Sequence, residues 1–219
     1  TSRDLGSMVA NPMSRNRIFW ESVGTLCIIY DLVLVPLQAF HFGQSSWRMV
    51  ATWFTVVYWT CDIPGSFFVA YYHRGVLQSR SWKTARNYLR TWFALDAVII
   101  TFDWIGLWYE YQDSHSADEF QYVKAGRSLR MLRFLRLLRL LRLHSFFRKI
   151  LEQIHSEYLL TVLHIVKLIV LIVVVNHFVA CGWYGLGDVL TEPPSWVDVF
   201  TADEGIGYRY TTSLHWSLT

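Results

Sequence analysis

The stretch RSLRMLRFLRLLRLLRL, Arg127–Leu143, decides how the rest of the chain is read. It places Arg127, Arg130, Arg133, Arg136, Arg139 and Arg142 at strict intervals of three, with almost only Leu, Met and Phe between them. In an α-helix each step of three advances about 300°, so the arginines wind round the axis and no clean apolar face survives. In a 3₁₀ helix the same residues align in one stripe. A basic amphipathic helix on a membrane surface, or a calmodulin- or nucleic-acid-binding patch, is the competing interpretation. The winding tells against it. Charge carried inside a membrane is costly and marks function, and arginine at every third position is the pattern expected of a voltage-sensing helix. Moving one such charge through the field is worth about 2.3 kcal/mol per 100 mV.

The surroundings of the ladder suit a membrane. The chain has 219 residues, 53% hydrophobic and 17% charged, with formal net charge +3 and mean hydropathy +0.25. A soluble domain carries about 25% charged residues, so a soluble enzyme is disfavoured. The 11 Trp, 12 Tyr and 14 Phe exclude a disordered chain. Cys27, Cys61 and Cys181 each lie in an apolar run and make no disulfide framework. A polytopic helical membrane protein remains. Thr1 in place of an initiating Met points to a piece of a longer chain, and residues 1–17 lack the apolar core of a signal peptide.

Four other runs are long enough to span a hydrocarbon core, which needs about 20 helical residues. They are Ile18 to Phe40, Met49 to Tyr72, Leu89 to Tyr109 and Tyr158 to Tyr184. Loop charges orient them. Residues 73–90 carry Arg74, Arg80, Lys83, Arg86 and Arg90 and no acid, which places that loop in the cytoplasm. Glu110, Asp113, Asp118 and Glu119 after the third run, and Asp188, Glu192, Asp198, Asp203 and Glu204 after the last, fit the outside. Five crossings with the N-terminus inside satisfy every loop.

A buried arginine needs a carboxylate. The acids within spans are Asp31, Asp62, Asp96 and Asp103. At about 1.5 Å rise per residue, Asp62 and Asp96 both fall about 10 Å from the inner surface of a core about 30 Å thick, so together they make an inner site for one arginine at a time. Asp31 and Asp103 fall nearer mid-membrane or in the outer half. Trp59 precedes Asp62 by three residues and shares its face, where its ring can close the field and stack on a passing guanidinium. The alternative for Trp59 is ordinary helix packing. The eight His are scattered without metal-ligand spacing, and His177 reads as hydrogen-bonded between packed helices. No catalytic constellation, metal site or phosphate-binding loop is present in the sequence, and nothing suggests an enzyme or a nucleic-acid partner.

Beyond the ladder, His144 to Glu157 (HSFFRKILEQIHSE) is a short charged amphipathic connection suited to the inner surface. After the last run and a polar stretch, Tyr208 to Thr219 (YRYTTSLHWSLT) is too short to span and resembles a re-entrant pore helix, allowed at membrane depth only when buried in protein.

Three stretches together, YLRTWFALDAVIITFDWIG in the third run, the six-arginine ladder and NHFVACGWYGLG in the last run, resemble the six-transmembrane voltage-gated cation channels of the ether-à-go-go and cyclic-nucleotide-gated superfamily. The resemblance implies an all-α membrane protein. A four-helix voltage-sensor bundle (18–143) follows a cytoplasmic segment (1–17); a linker (144–157) then leads to the first helix and pore helix of a pore domain (158–219). It implies that Arg127 to Arg142 are gating charges, that Asp62 and Asp96 are the inner charge-transfer acids with Trp59 at the aromatic cap, and that Tyr210, Thr211, Thr212, Ser213, Leu214, His215, Trp216 and Ser217 belong to the pore helix. The sequence departs from the family at Val56, near a further family acid, and at the cap, which is Trp instead of Phe or Tyr. The resemblance further implies a homo- or heterotetramer in the plasma membrane passing a monovalent cation, potassium by expectation. A selectivity filter, a sixth span and a cyclic-nucleotide-binding domain would follow Thr219, with no cofactor held by these residues. The alternatives are a nonselective cyclic-nucleotide-gated cation channel and a stand-alone voltage sensor coupled to another effector.

Overall fold

Residues 14–41, 45–73, 76–78, 80–113, 133–141, 156–189, 195–201 and 204–219, with Leu151 and Ile154, are described in the computed structural model. The first apolar run forms α1 (Arg15–Leu37), continued by a 3₁₀ turn over Gln38–Phe40. The second forms α2 (Ser46–Phe67). A two-stranded antiparallel hairpin follows, β1 (Tyr71–His73) on β2 (Val76–Gln78), in register Tyr71↔Gln78, Tyr72↔Leu77 and His73↔Val76. Then come α3 (Ser81–Thr91), α4 (Phe93–Asp113) and a 3₁₀ segment over Arg133–Arg139. The last apolar run is α5 (Glu157–Val189), followed by α6 (Trp196–Thr201) and α7 (Ile206–Leu218). The helical membrane-protein class holds, with the hairpin as its departure from a purely helical chain.

Several expected boundaries move. The second run was expected to reach Tyr72, but α2 stops at Phe67. Pro64 in its last turn supplies no N–H, and the chain turns with Phe68 N–H donating to the Gly65 carbonyl at 3.2 Å. The third run was expected to start at Leu89. Instead the chain breaks at Trp92, and α3 and α4 meet at a 63° bend. The break falls where the basic helix SWKTARNYLRT gives way to the apolar FALDAVIITF. A helix of the first kind belongs at the membrane surface and one of the second inside it. The basic segment 73–90 is therefore partly strand and partly helix.

Among the described residues, two helices are long and apolar enough to cross a membrane alone, Arg15–Phe40 and Glu157–Asp188. The bent pair Ser81–Thr91 and Phe93–Tyr109 qualifies as a third only when taken jointly. α2 is about 33 Å long at 1.5 Å per residue, but it carries Arg48 and Asp62 and is rich in Trp, Tyr and Thr. Most of the ladder, the remaining expected crossing, lies outside the described residues.

The chain divides into two compact units, Thr1–Ile28 with Ser45–Leu138, and Ile29–Gln44 with Arg139–Thr219. In the first unit, aromatic side chains lock neighbouring helices. Tyr58 stacks on Trp20 with ring centroids 4.7 Å apart, and its hydroxyl donates to the Trp20 carbonyl at 2.7 Å. Gly24 makes this approach possible, since a Cβ there would lie 2.6 Å from the Tyr58 Oη. Trp104 on α4 packs edge-on against Trp53 of α2 and donates to Thr60 Oγ1 at 3.2 Å. Thr84 at the start of α3 donates to the Phe67 carbonyl at 3.2 Å, tying α3 to the end of α2. In the second unit the core is Phe40, Cys181, Tyr184 and Val197, with Phe40 and Tyr184 stacked at 4.0 Å. Gly187 gives α6 its seat, because a Cβ there would collide with Trp196 and Val197. Along residues 168–173 the apolar side chains of α5 are exposed, the surface a lipid would cover.

Candidate functional site

The interval of three in the ladder meets a backbone of the same period. Over Arg133–Arg139 the chain is 3₁₀, so residues three apart share one azimuth. Arg136 and Arg139 are both buried, at 6% and 3% exposure, whereas Phe134, Leu138 and Leu141 are exposed. The segment is amphipathic inside out, with charge turned toward protein and hydrocarbon turned away. A helix bound to a membrane surface, or one offered to calmodulin, needs the opposite arrangement.

Each buried arginine meets a carboxylate. Arg136 Nε donates to Asp103 Oδ1 on α4 at 2.5 Å, within the first unit. Within the second unit, Arg139 Nη1 lies 4.0 Å from Asp31 Oδ2 on α1. Both acids are 3% exposed. Arg133 begins the 3₁₀ segment; Arg127, Arg130 and Arg142 lie outside the described residues.

Asp62 and Asp96 are each held by described neighbours. Asp62 Oδ1 accepts from Trp20 Nε1 at 2.8 Å and from Arg17 Nη1 at 3.4 Å, and Oδ2 accepts from Ser66 Oγ at 3.3 Å. Asp96, at the start of α4, accepts from the Tyr88 hydroxyl of α3 at 2.7 Å. That bond spans the α3–α4 bend, where Tyr88 also packs on Phe67 and Phe93. Trp59 is buried and meets Tyr58 edge-on at 5.0 Å.

The C-terminal piece is helical, as expected, over Ile206–Leu218. Arg209 fixes its start by donating through Nε to the Thr201 and Glu204 carbonyls and through Nη1 to Tyr184 Oη. Ser213 is fully buried and Tyr210, Thr212, Leu214 and Ser217 partly so, whereas Thr211, His215 and Trp216 are exposed. His177 of α5 joins this helix to α1. Its Nε2 lies 3.0 Å from the Val33 carbonyl, which only accepts, so Nε2 carries a proton. In the neutral ring Nδ1 then accepts from the Tyr210 hydroxyl at 2.9 Å. His177 is the interhelical hydrogen-bonding residue expected of it.

Residues 17–218 match the family described as Ion transport protein. The chain belongs to the ion transport protein family. It is similar to potassium channels, one of them described as voltage-gated. It is 25% identical to potassium channel AKT3 of Oryza sativa subsp. japonica, over 98% of this chain and 23% of that protein. It is 28% identical to potassium channel KAT2 of Arabidopsis thaliana, over 100% of this chain and 31% of that one. With the voltage-gated delayed rectifier potassium channel KCNH5 of Homo sapiens it shares 29% identity, over 89% of this chain and 19% of the relative. The chain thus spans about a fifth to a third of the length of these relatives.

For this ion transport protein, sequence reasoning missed Arg17, Trp20 and Tyr88. The first two sit one helical turn apart at the start of α1, where composition groups Arg17 with the polar N-terminal stretch. A basic residue and a Trp three positions apart, at the end of a span where an acid is expected at the same depth, would have been the signal. Tyr88 lies in the basic segment 73–90, whose charge alone reads as a loop.

Proposed function

We propose that the chain is the voltage-sensing region and first part of the pore of a tetrameric voltage-gated cation channel that conducts potassium. The sensor comprises residues 18–143 after a cytoplasmic segment 1–17. The linker 144–157 transmits its movement to the pore part, 158–219. The gating charges are Arg127, Arg130, Arg133, Arg136, Arg139 and Arg142. Asp31, Asp62, Asp96 and Asp103 are the counter-charges that receive them in turn, and Trp59 closes the field beside Asp62. Tyr210 to Ser217 form the pore helix. The protein sits in the plasma membrane with its N-terminus in the cytoplasm, in keeping with the basic segment 73–90.

The observation that carries this proposal is the buried Arg136–Asp103 pair on a 3₁₀ stripe whose apolar sides face outward. A charge pair of this kind needs a partner and a reason to be inside the membrane. Potassium is favoured by the names of the plant and human relatives. The test is a voltage-clamp recording of the full-length protein with potassium and sodium exchanged outside. The expected result is a voltage-gated current whose reversal follows the potassium gradient. Arg133→Gln with Arg136→Gln should lower the gating charge, and an unchanged gating charge would refute the assignment of the ladder.

A further inference from the structure

One face of the basic helix α3 is left exposed by the described packing. We infer that this face is a binding surface for anionic phospholipid, with Trp82 and Leu89 inserted below the headgroups and Arg86, Arg90 and Lys83 on their phosphates. The inference rests on the membrane-protein class of the chain and not on the sensor function proposed above.

The roll of the helix about its axis is fixed first. Thr84 and Tyr88 stand one turn apart on α3 and are both buried. Thr84 donates to the Phe67 carbonyl at the end of α2, and Tyr88 donates to Asp96 Oδ2 at the start of α4. That side is committed to protein. At about 100° per residue the opposite side holds Leu89, Trp82, Arg86, Arg90 and Lys83, in that order, within a sector of about 120°. All five are exposed, Trp82 at 74% and Leu89 at 48%.

The order within the sector selects the ligand. It runs from apolar at Leu89 and Trp82 to cationic at Arg86, Arg90 and Lys83. A helix lying in a bilayer interface needs this gradient, with Trp at headgroup level and basic side chains on the phosphates. Water alone leaves Trp82 and Leu89 unburied, and a nucleic-acid backbone covers only the cationic half. The charge has one sign. No Asp or Glu occurs between Asp62 and Asp96. Arg80, Lys83, Arg86 and Arg90 make no ion pair among the described residues.

The bend sets the depth. α3 meets α4 at 63°, and Tyr88 ties the two helices across it through its bond to Asp96 and its packing on Phe93. Beyond the bend α4 is apolar and exposes Val98, Trp104 and Trp108. Leu89 and Arg90 therefore stand where the chain enters the hydrocarbon, and a helix turned aside at that level lies along the headgroups.

Photolabelling of the full-length protein in phosphatidylcholine nanodiscs tests this. The nanodiscs carry a trace of diazirine-bearing phosphatidylserine or, in parallel, diazirine-bearing phosphatidylcholine. Peptides covering Ser81–Thr91 should be labelled by the serine lipid in excess of the choline lipid. The excess should fall about fivefold for each charge removed in Arg86→Gln and Arg90→Gln, and high salt should lower it too. Arg86→Lys with Arg90→Lys should keep it, because the charge is kept. Trp82→Ser should lower labelling by both lipids alike, since it removes insertion and no charge. Unchanged labelling along α5 checks that each variant is folded and embedded.

Equal labelling by the two lipids overturns the inference, as does an excess unmoved by Arg86→Gln with Arg90→Gln. Loss of the label to soluble glycerophosphoserine also overturns it, and would show a site for free anions in place of a lipid surface. So does a carbodiimide cross-link from Lys83 to a carboxylate of the protein with no lipid label on α3, which would show that an acidic segment covers this face. None of these readouts needs charge movement, so the lipid surface and the sensor function stand or fall separately.

Discussion

Asp103→Asn isolates the one contact on which the sensor assignment leans hardest. The side chain keeps its shape and its acceptor oxygen, and only the charge opposite Arg136 is lost. Both partners are buried, at 6% and 3% exposure, so solvent screens the pair little. A hydrogen bond to a charged group contributes about 1.5–3 kcal/mol; the Asn oxygen still accepts, but Arg136 loses its counter-charge, so this range is the lower bound of the effect. If about three charges cross the field in each sensor, the field supplies about 7 kcal/mol per 100 mV. Dividing the one by the other gives a midpoint shift of at least about 20–45 mV per sensor. With the orientation proposed above, Asp103 lies nearer mid-membrane or the outer half and holds Arg136 outward, so the shift is toward positive voltage. The acid is stationary, so the slope of the charge–voltage curve is unchanged. Arg136→Gln, by contrast, removes a moving charge and should flatten that slope by about a quarter to a third. Gating currents from the full-length protein read both quantities. A midpoint for Asp103→Asn indistinguishable from the unsubstituted protein would refute the pairing, and a changed slope would show that Asp103 does more than hold an arginine.

Three further outcomes follow from the packing. Gly24→Ala places a Cβ 2.6 Å from Tyr58 Oη and should cost about 1–3 kcal/mol, read as a lower melting temperature of the detergent-purified protein. Adding Tyr58→Phe removes the colliding hydroxyl, so the double variant should lose less than the two single losses summed. Tyr88→Phe takes a donor from buried Asp96 and should cost about 1–3 kcal/mol, seen as a moved charge–voltage midpoint with unchanged slope. Tyr210→Phe removes the donor to His177 Nδ1 for about 0.5–1.5 kcal/mol. His177→Leu should cost more, because it leaves both the Val33 carbonyl and the Tyr210 hydroxyl without this partner; surface expression and thermal unfolding rank the two.

What the sequence discloses here depends on how local the cause is. α1 and α5 are legible because each is an uninterrupted apolar run of spanning length. Asp103 and Asp31 are legible as arginine partners because an acid inside a span has few other uses. The end of α2 is harder to see, since Pro64 is tolerated in membrane helices, yet here the helix stops at Phe67 and a hairpin follows. The break at Trp92 has neither Pro nor Gly at the bend, only a change of composition on either side. Arg17 and Trp20 reach Asp62 across 45 and 42 residues of sequence, through a packing of α1 on α2 that no periodicity encodes.

The 3₁₀ form of the ladder links its sequence to its work. Arginines three apart in an α-helix are separated by about 4.5 Å along the axis and offset by about 60° round it. In a 3₁₀ helix they lie about 6 Å apart at the same azimuth. A sliding 3₁₀ segment therefore presents the next arginine to a given acid by translation alone, whereas an α-helix must also rotate. The form has a cost. Its hydrogen bonds are poorer, and runs beyond three or four residues are uncommon, yet seven residues adopt it here. The offsetting gain lies in the side chains. Arg136 and Arg139, on one azimuth, are both buried, while Phe134, Leu138 and Leu141 stay on the apolar surface. An α-helical ladder would swing successive arginines toward the hydrocarbon, where an unpaired guanidinium costs more than a strained backbone turn. The interval of three is thus a specification of backbone form as well as of charge, with Asp103 and Asp31 facing the two buried arginines.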